Sequence, residues 1–468
     1  MLLMRRWALF LAGLTLAAAE LPPFDQEKFN RETLEHYTNL IRIDTSNPPG
    51  NETRAVEYLR RVLDAEGIPY QVFALDPARA NLVARIKGNG SKRPLIIMGH
   101  TDVVGVQRDK WSVDPFAAVR KDGFIYGRGA TDDKDNLTAS LMAMVLLKRA
   151  RVPLDRDVIF VAEAGEEGNS SVGINYLVEQ HWYALDAEFA LAEGGAGALR
   201  DGRLRYISVA TTEKVPRGVR LVAHGTAGHG SRPRPDNAVV HLADAVAKVA
   251  HWEPPMRLND TTRAYFERLA TISAPEERDR YLHVAEPQRT AAIQGYFATH
   301  EIGNYSILRT SLVPTIINIG FRTNVIPSTG EANIDIRALP DEDMPRFYEE
   351  LRRVIADPSI EIVRSGEGSR PASPPSRLDS EMFRALESVT RRMYPGAIVL
   401  PSMMTGATDM AQLRSKGVQS YGIGPAVDEK EGALGSAHAD DERLAEASLY
   451  KFVEFQLRAV LEVAASRR

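Results

Sequence analysis

Between about residue 30 and residue 210, helical patterns alternate with short runs of apolar, β-branched residues, and no other feature restricts the fold as tightly. Apolar positions recur at helical spacing over 29–43 and 52–66, and Gly67 stands where a C-terminal glycine cap belongs. The runs 81–86, 94–98 and 157–162 read as buried strands, with a strong helix over 136–148 between the last two. Strands alternating with helices predict an α/β fold, in which helices cover both faces of a mostly parallel sheet in three layers. Such sheets take ligands beyond the carboxyl ends of their strands, so the residues that follow each apolar run are the ones to inspect.

From residue 215 the texture changes. Strands are expected at 218–224, 316–322, 331–337 and 359–363, and helices at 237–250 and 343–355, which together make a small α+β layer. Residues 254–312 form an insertion within it, helical over 262–270 and 276–284. Residues 366–377 read as a Pro/Gly/Ser-rich linker, after which helix and strand signals resume. The expected organisation is an α/β domain of residues 20–214 and 367–468, interrupted by an α+β domain of residues 215–366.

Composition narrows the chemistry. The chain of 468 residues has 58 Lys and Arg against 62 Asp and Glu, and this net charge of −4 gives no broad positive field for nucleic acid. It has no cysteine, which removes disulfide scaffolds, thiolate metal sites and cysteine nucleophiles, so any transition metal must sit on His and carboxylates. Residues 1–19 carry Arg5 and Arg6, an apolar core and a small-residue end, the pattern of a secretory signal peptide. The mature chain is therefore expected to be exported, periplasmic or extracellular, and free of the membrane.

Five polar clusters stand at the ends of apolar runs. His100 and Asp102 lie two apart on extended chain and point the same way, so the carboxylate can orient the imidazole. Asp132 and Asp133 follow a glycine turn and open a helix, a place that also suits helix capping. Glu166 and Glu167 are adjacent acids whose repulsion a cation or proton would relieve, and Glu193 is a further strand-end acid. His438 precedes Asp440, Asp441 and Glu442. Together they suit two divalent cations, zinc, manganese or cobalt, with no sulfur to favour copper.

At these five motifs the sequence resembles the dinuclear zinc exopeptidase and deacylase family, which includes aminoacylase, acetylornithine deacetylase, succinyl-diaminopimelate desuccinylase, bacterial glutamate carboxypeptidase and yeast carboxypeptidase S. The resemblance runs through nearly all of the mature chain. It implies that His100 and Glu193 bind one metal and Glu167 and His438 the other, with Asp132 bridging. It implies Glu166 as general base, Asp102 as the carboxylate that orients His100, and residues 215–366 as a lid or dimerisation domain. His229, in the Gly225–Pro233 segment, is similar to a histidine that steadies the oxyanion, often from a partner subunit of a homodimer. Asn324 and Arg337 resemble substrate-contacting residues, Arg337 holding a carboxylate, and Thr408 resembles part of a loop near the site. The long insertion is similar to the carboxypeptidase S-like and N-fatty-acyl-amino-acid hydrolase branch, and its helices would cover or replace the usual dimer interface.

The implied reaction is hydrolysis of the amide bond in N-acyl amino acids or at the C-terminal residue of short peptides. A dipeptidase would use the same centre. A binding protein that kept the fold and lost catalysis would lack ligands that are filled here. A serine hydrolase built on Ser231 lacks the strand–turn–helix nucleophile elbow.

Overall fold

The computed structural model describes residues 25–365, 370–428 and 435–466, and the expected signal peptide lies outside the described residues. The first helix, Gln26–Ile41, is capped by the Asp25 side chain, which accepts the Lys28 N–H, and it buries Phe29, Tyr37, Leu40 and Ile41. The second, Thr53–Glu66, stops at Gly67, whose left-handed φ of 61° matches the expected cap.

A ten-stranded sheet forms the centre. Val158–Glu163, Leu95–His100, Phe189–Ala192 and Gln419–Gly422 lie side by side and parallel. The first three are buried along their whole length, which accounts for their unbroken apolar runs. The flanks are mixed. Tyr70–Phe73 and Asn81–Ile86 add antiparallel strands on one side. On the other, the long strand Arg203–Glu213 runs antiparallel to Ala196–Arg200 and parallel to Ile398–Met404. Asp201 and Gly202, both at positive φ, make the two-residue turn of that hairpin.

The helix Lys134–Arg149 is buried from Lys134 to Leu147 and packs on the strand Leu95–His100. Gly99 makes the approach close: a Cβ there would sit 2.8 Å from the Leu137 nitrogen and 2.9 Å from a carboxylate oxygen of Asp133. The loop before this helix, which carries Asp132, is thereby drawn against the strand that ends in His100.

From Glu213 the chain passes through Lys214 into a five-stranded antiparallel sheet. Its apolar face packs against the helices Ala238–His251 and Met344–Ile355. Its strand Ser311–Ile319 begins five residues before the expected position, because Pro314 falls at a register shift on an edge strand and does not end it. The insertion holds four helices, Asp260–Thr271, Pro275–Leu282, Thr290–His300 and Ile302–Ile307, of which the last two were not expected. Phe266, Tyr281, Ile293 and Phe297 form its core together with Leu339 and Met403.

The expected linker at 366–377 is, over its described part, a packed segment. Arg370, Ser373 and Ser376 are buried, and the Ser376 hydroxyl donates to the Ser420 carbonyl at 2.8 Å. Its Pro/Ser composition suits an extended chain that hydrogen-bonds through side chains.

Candidate active site

The carboxyl ends of the parallel strands converge on two imidazoles and several acids. His100 ends its strand with Nε2 2.8 Å from Asp132 Oδ1. The other oxygen of Asp132 lies 3.2 Å from His438 Nε2, which is also 2.9 Å from Glu167 Oε1. Asp132 thus stands between the two imidazoles. One donor atom each from His100, Asp132 and Glu167 lies within 4.8 Å of the others, and the same holds for His100, Glu166 and Glu193.

Asp102 acts differently from the simple expectation. The imidazole Nδ1 of His100 faces the Asp102 backbone carbonyl at 2.9 Å, while the nearer carboxylate oxygen is at 3.5 Å. That carboxylate is engaged elsewhere. It accepts the backbone N–H groups of Glu166 and Glu167, each at 3.1 Å, and the Asn47 amide at 2.8 Å. Asp102 therefore orients His100 mainly through its carbonyl and fixes the Glu166–Glu167 loop through its side chain.

The electrostatics call for cations. Burial raises the Glu193 carboxyl well above its ordinary value, pushes Glu166 up to about 7 and Glu163 up to about 8. Glu193 makes no side-chain hydrogen bond or ion pair with any described residue. Hydrogen bonds to Asp132 and Glu167 push His438 up to about 10. Burial opposes a charge on His100, yet the Asp102 carboxylate 3.5 Å from Nδ1 and the Asp132 carboxylate at Nε2 hold its pKa well above 6.5. Protons here stand where cations belong, and a nitrogen–oxygen donor set of this kind fits divalent metals of the zinc, cobalt and manganese type.

Residues 96–462 match the sequence pattern of peptidase family M20/M25/M40. This chain belongs to that family. It is a metal-dependent hydrolase of the exopeptidase and amidohydrolase type. It is 30% identical to a probable carboxypeptidase S-like 2 of Dictyostelium discoideum over 81% of this chain and 73% of the relative. It is 26% identical to the N-fatty-acyl-amino acid synthase/hydrolase PM20D1 of Xenopus tropicalis, over 93% and 86% of the two chains. The fold is similar to that of the metallo-carboxypeptidase Sso-CP2 from Sulfolobus solfataricus, with a TM-score of 0.70, 20% identity, and 92% and 99% of the chains covered. It is also similar to the YXEP protein of Bacillus subtilis, described as a dinuclear metal binding peptidase, at a TM-score of 0.59, 14% identity, and 93% and 99% coverage.

In this M20 enzyme three of the remaining expected residues, His229, Asn324 and Arg337, belong to the five-stranded unit. His229 and Asn324 come together on the five-stranded unit, where Gly228–His229 pairs with Val325–Ile326. His229 is exposed, its Nδ1 accepting the Ser231 N–H at 3.1 Å. Among the described residues no hydrogen bond or ion pair joins either residue to the cluster. Arg337 points its Nε at Asp335, 3.1 Å from each carboxylate oxygen, and its terminal nitrogens make no hydrogen bond to a described residue. Thr408 stands beside the cluster, lining a small enclosed pocket with His100, Glu163 and Glu193. Its hydroxyl and N–H both donate to Glu213, at 2.8 and 2.9 Å, so it shapes a loop and has no free donor for substrate.

Sequence reasoning missed several supports. Glu442 accepts Thr131 N–H at 2.7 Å and Arg128 at 2.7 Å, holding the loop that carries Asp132. Asn47 and Arg370 were also missed, since neither sits in a strand-end motif; Glu163 does end its strand, in the motif that leads to Glu166, but was given no role. For Glu442 a signal existed: it is the third acid after His438.

Proposed function

We propose that this enzyme hydrolyses the amide bond of N-acyl amino acids or of C-terminal residues in short peptides, with Glu166 moving the proton. The observation that carries this reading is the position of Glu166: its side chain only 10% exposed, pushed up to about 7, with an oxygen within 4.8 Å of donor atoms of His100 and Glu193. A carboxylate tuned to that range both takes and returns a proton near neutral pH. His100 and Glu193 would hold one metal, Glu167 and His438 the other, and Asp132 both, with zinc as the proposed ion. When bound, two such cations polarise the scissile carbonyl and lower the pKa of the attacking water. Glu166 accepts the proton of that water and delivers it to the leaving amine. Asp102 holds Glu166 and Glu167 in register through their N–H groups.

Substrate recognition is assigned to the surroundings. The free terminal nitrogens of Arg337 suit a substrate carboxylate, held bidentately. A cavity of about 380 Å³ begins at Gly194, beside Glu193. Tyr206, Met403 and Met404 line it on one side, and Tyr265 and Ile307 of the insertion on the other. It is lined by no charged side chain, which suits an uncharged acyl chain or side chain. His229 is assigned to the oxyanion of a second copy's site. The apolar edge strand with Val313, Ile316 and Ile317 exposed is the proposed contact between copies. Export of the mature chain is proposed from residues 1–19.

The test is a panel of N-acyl amino acids and dipeptides, assayed with zinc, cobalt and manganese beside Glu166→Gln. Hydrolysis by the wild type and its loss in the variant, at equal metal content, is expected. Turnover of dipeptides alone would replace the acylase reading with a dipeptidase one.

A further inference from the structure

Arg370 enters the site from the second crossing between the five-stranded unit and the large sheet. Its side chain is nine-tenths buried. One terminal nitrogen lies 2.6 Å from Glu166 Oε1 and 3.3 Å from the Glu166 carbonyl, and the other pairs with Asp409 Oδ1. Asp409 is itself fixed, because its neighbour Thr408 is tied to Glu213 and Glu213 accepts Arg414 at 2.8 Å. The backbone of Arg370 is held from the opposite direction. Its carbonyl accepts Arg217 Nη1 at 3.0 Å, and the Arg217 carbonyl accepts the Tyr348 hydroxyl at 3.3 Å. Arg217 belongs to the five-stranded unit, between its strands Val215–Pro216 and Val219–His224, and Tyr348 lies on the helix Met344–Ile355.

We propose that Arg370 is a positioning residue for Glu166, and that through Arg217 it ties the placement of the proton-shuttling carboxylate to the five-stranded unit. The inference rests on Glu166 being that shuttle. A glutamate side chain has three rotatable torsions, and a misplacement of about 1 Å in a reacting group can cost about 100-fold in rate. A guanidinium pinned by Asp409 fixes one carboxylate oxygen and leaves the other for the proton. Because Arg217 belongs to the five-stranded unit and holds the Arg370 carbonyl, a shift of that unit reaches Glu166 without passing through any metal ligand.

The experiment compares Arg370→Ala, Arg370→Lys, Arg217→Met and the Arg217→Met/Arg370→Ala double variant in the full-length, metal-loaded enzyme. It reads kcat, KM and bound metal on one N-acyl amino acid. Arg370→Ala should lower kcat by roughly 10- to 100-fold, with KM within about 3-fold and both metals kept. Arg370→Lys should recover part of that loss, since an ammonium can still reach one carboxylate. Arg217→Met should lower kcat less, by roughly 2- to 10-fold, and add nothing to Arg370→Ala in the double variant. Wild-type kcat in Arg370→Ala, or a lysine variant as impaired as the alanine one, overturns the positioning role. Multiplying losses in the double variant overturn the tie through Arg217. If Arg370→Ala does not fold, the lysine variant and Arg217→Met decide by the same kcat-against-KM division. Glu166→Gln separates the readings: if it stays active the shuttle is wrong, and if only Arg370→Ala stays active this inference alone fails.

Discussion

At the carboxyl ends of the large sheet, Glu163, Glu166 and Glu193 gather about the buried His100, with His438 on the exposed side, and there is more acid than the described side chains can neutralise. On the small sheet the reverse holds: Ser311–Ile319 turns Val313, Ile316 and Ile317 outward, and Phe321 beside it is 82% exposed. One region hides charge and the other shows apolar surface. Each is a departure from the usual sorting of side chains, and each points to what would complete it. Buried acids are completed by ions. An exposed row of branched residues on a sheet edge is completed by another polypeptide surface.

The sharpest test of the first half is Glu166→Gln. Loss of a general acid–base group typically costs about 100- to 10,000-fold, so kcat should fall in that range while bound metal, measured by elemental analysis, is unchanged. Near-wild-type turnover breaks the assignment. The second half is tested by His229→Ala, expected to cost about 100- to 1,000-fold as for other oxyanion donors. If the small sheet brings copies together, mixing inactive His229→Ala and Glu166→Gln subunits should restore part of the activity, because one site in each mixed pair is whole. A mixture that stays inactive although the subunits exchange places His229 in its own chain's site. A smaller effect is expected of Arg337→Ala: a loss of roughly 10- to 100-fold in kcat/KM on substrates with a free carboxylate, and little change on amidated ones. Equal losses on both would remove the clamp.

The smallest effect concerns pH. Glu163 and Glu166 bind protons more tightly folded, at about 8 and about 7, than at the ordinary 4.5. Their contribution to stability is full below about pH 4.5 and is lost as pH rises through 7 and 8. His438, raised from 6.5 to about 10, acts in the same sense over a higher window. Metal-free protein should therefore melt at a lower temperature at about pH 8 than at about pH 5.5. Metal binding needs its ligands Glu193 and His438 free of protons, and both hold protons tightly, so the gain in Tm on adding zinc should be larger at the higher pH. A gain that shrinks with pH would mean that Glu193 and His438 are not ligands.

Legibility differed with the physical signal. Asn81–Ile86 and the helix after Asp132 were readable because they are apolar runs with clear ends. Arg203–Glu213 was not, since it mixes Arg, Ser and Thr with its apolar residues, although the Asp201-Gly202 turn before it is a hairpin signal. Thr290–His300 carries apolar residues around its whole circumference and so shows no stripe. Within the site, His100, Asp132, Glu166, Glu167, Glu193 and His438 announced themselves by following strands or glycine turns. Arg370 could not, because its significance comes from where a proline-rich stretch folds back, and Asp102 showed its position but hid which of its atoms meets His100.

The four-helix insertion takes Leu339 and Met403 from outside its own span into its interior. It cannot be trimmed away like a decoration: excision would leave both side chains facing water and strip the outer wall from the cavity beside Gly194. Shortened versions of this protein should sediment as aggregates more readily than they gain in simplicity, and swaps of this segment between related enzymes will need the two outside residues to travel with it.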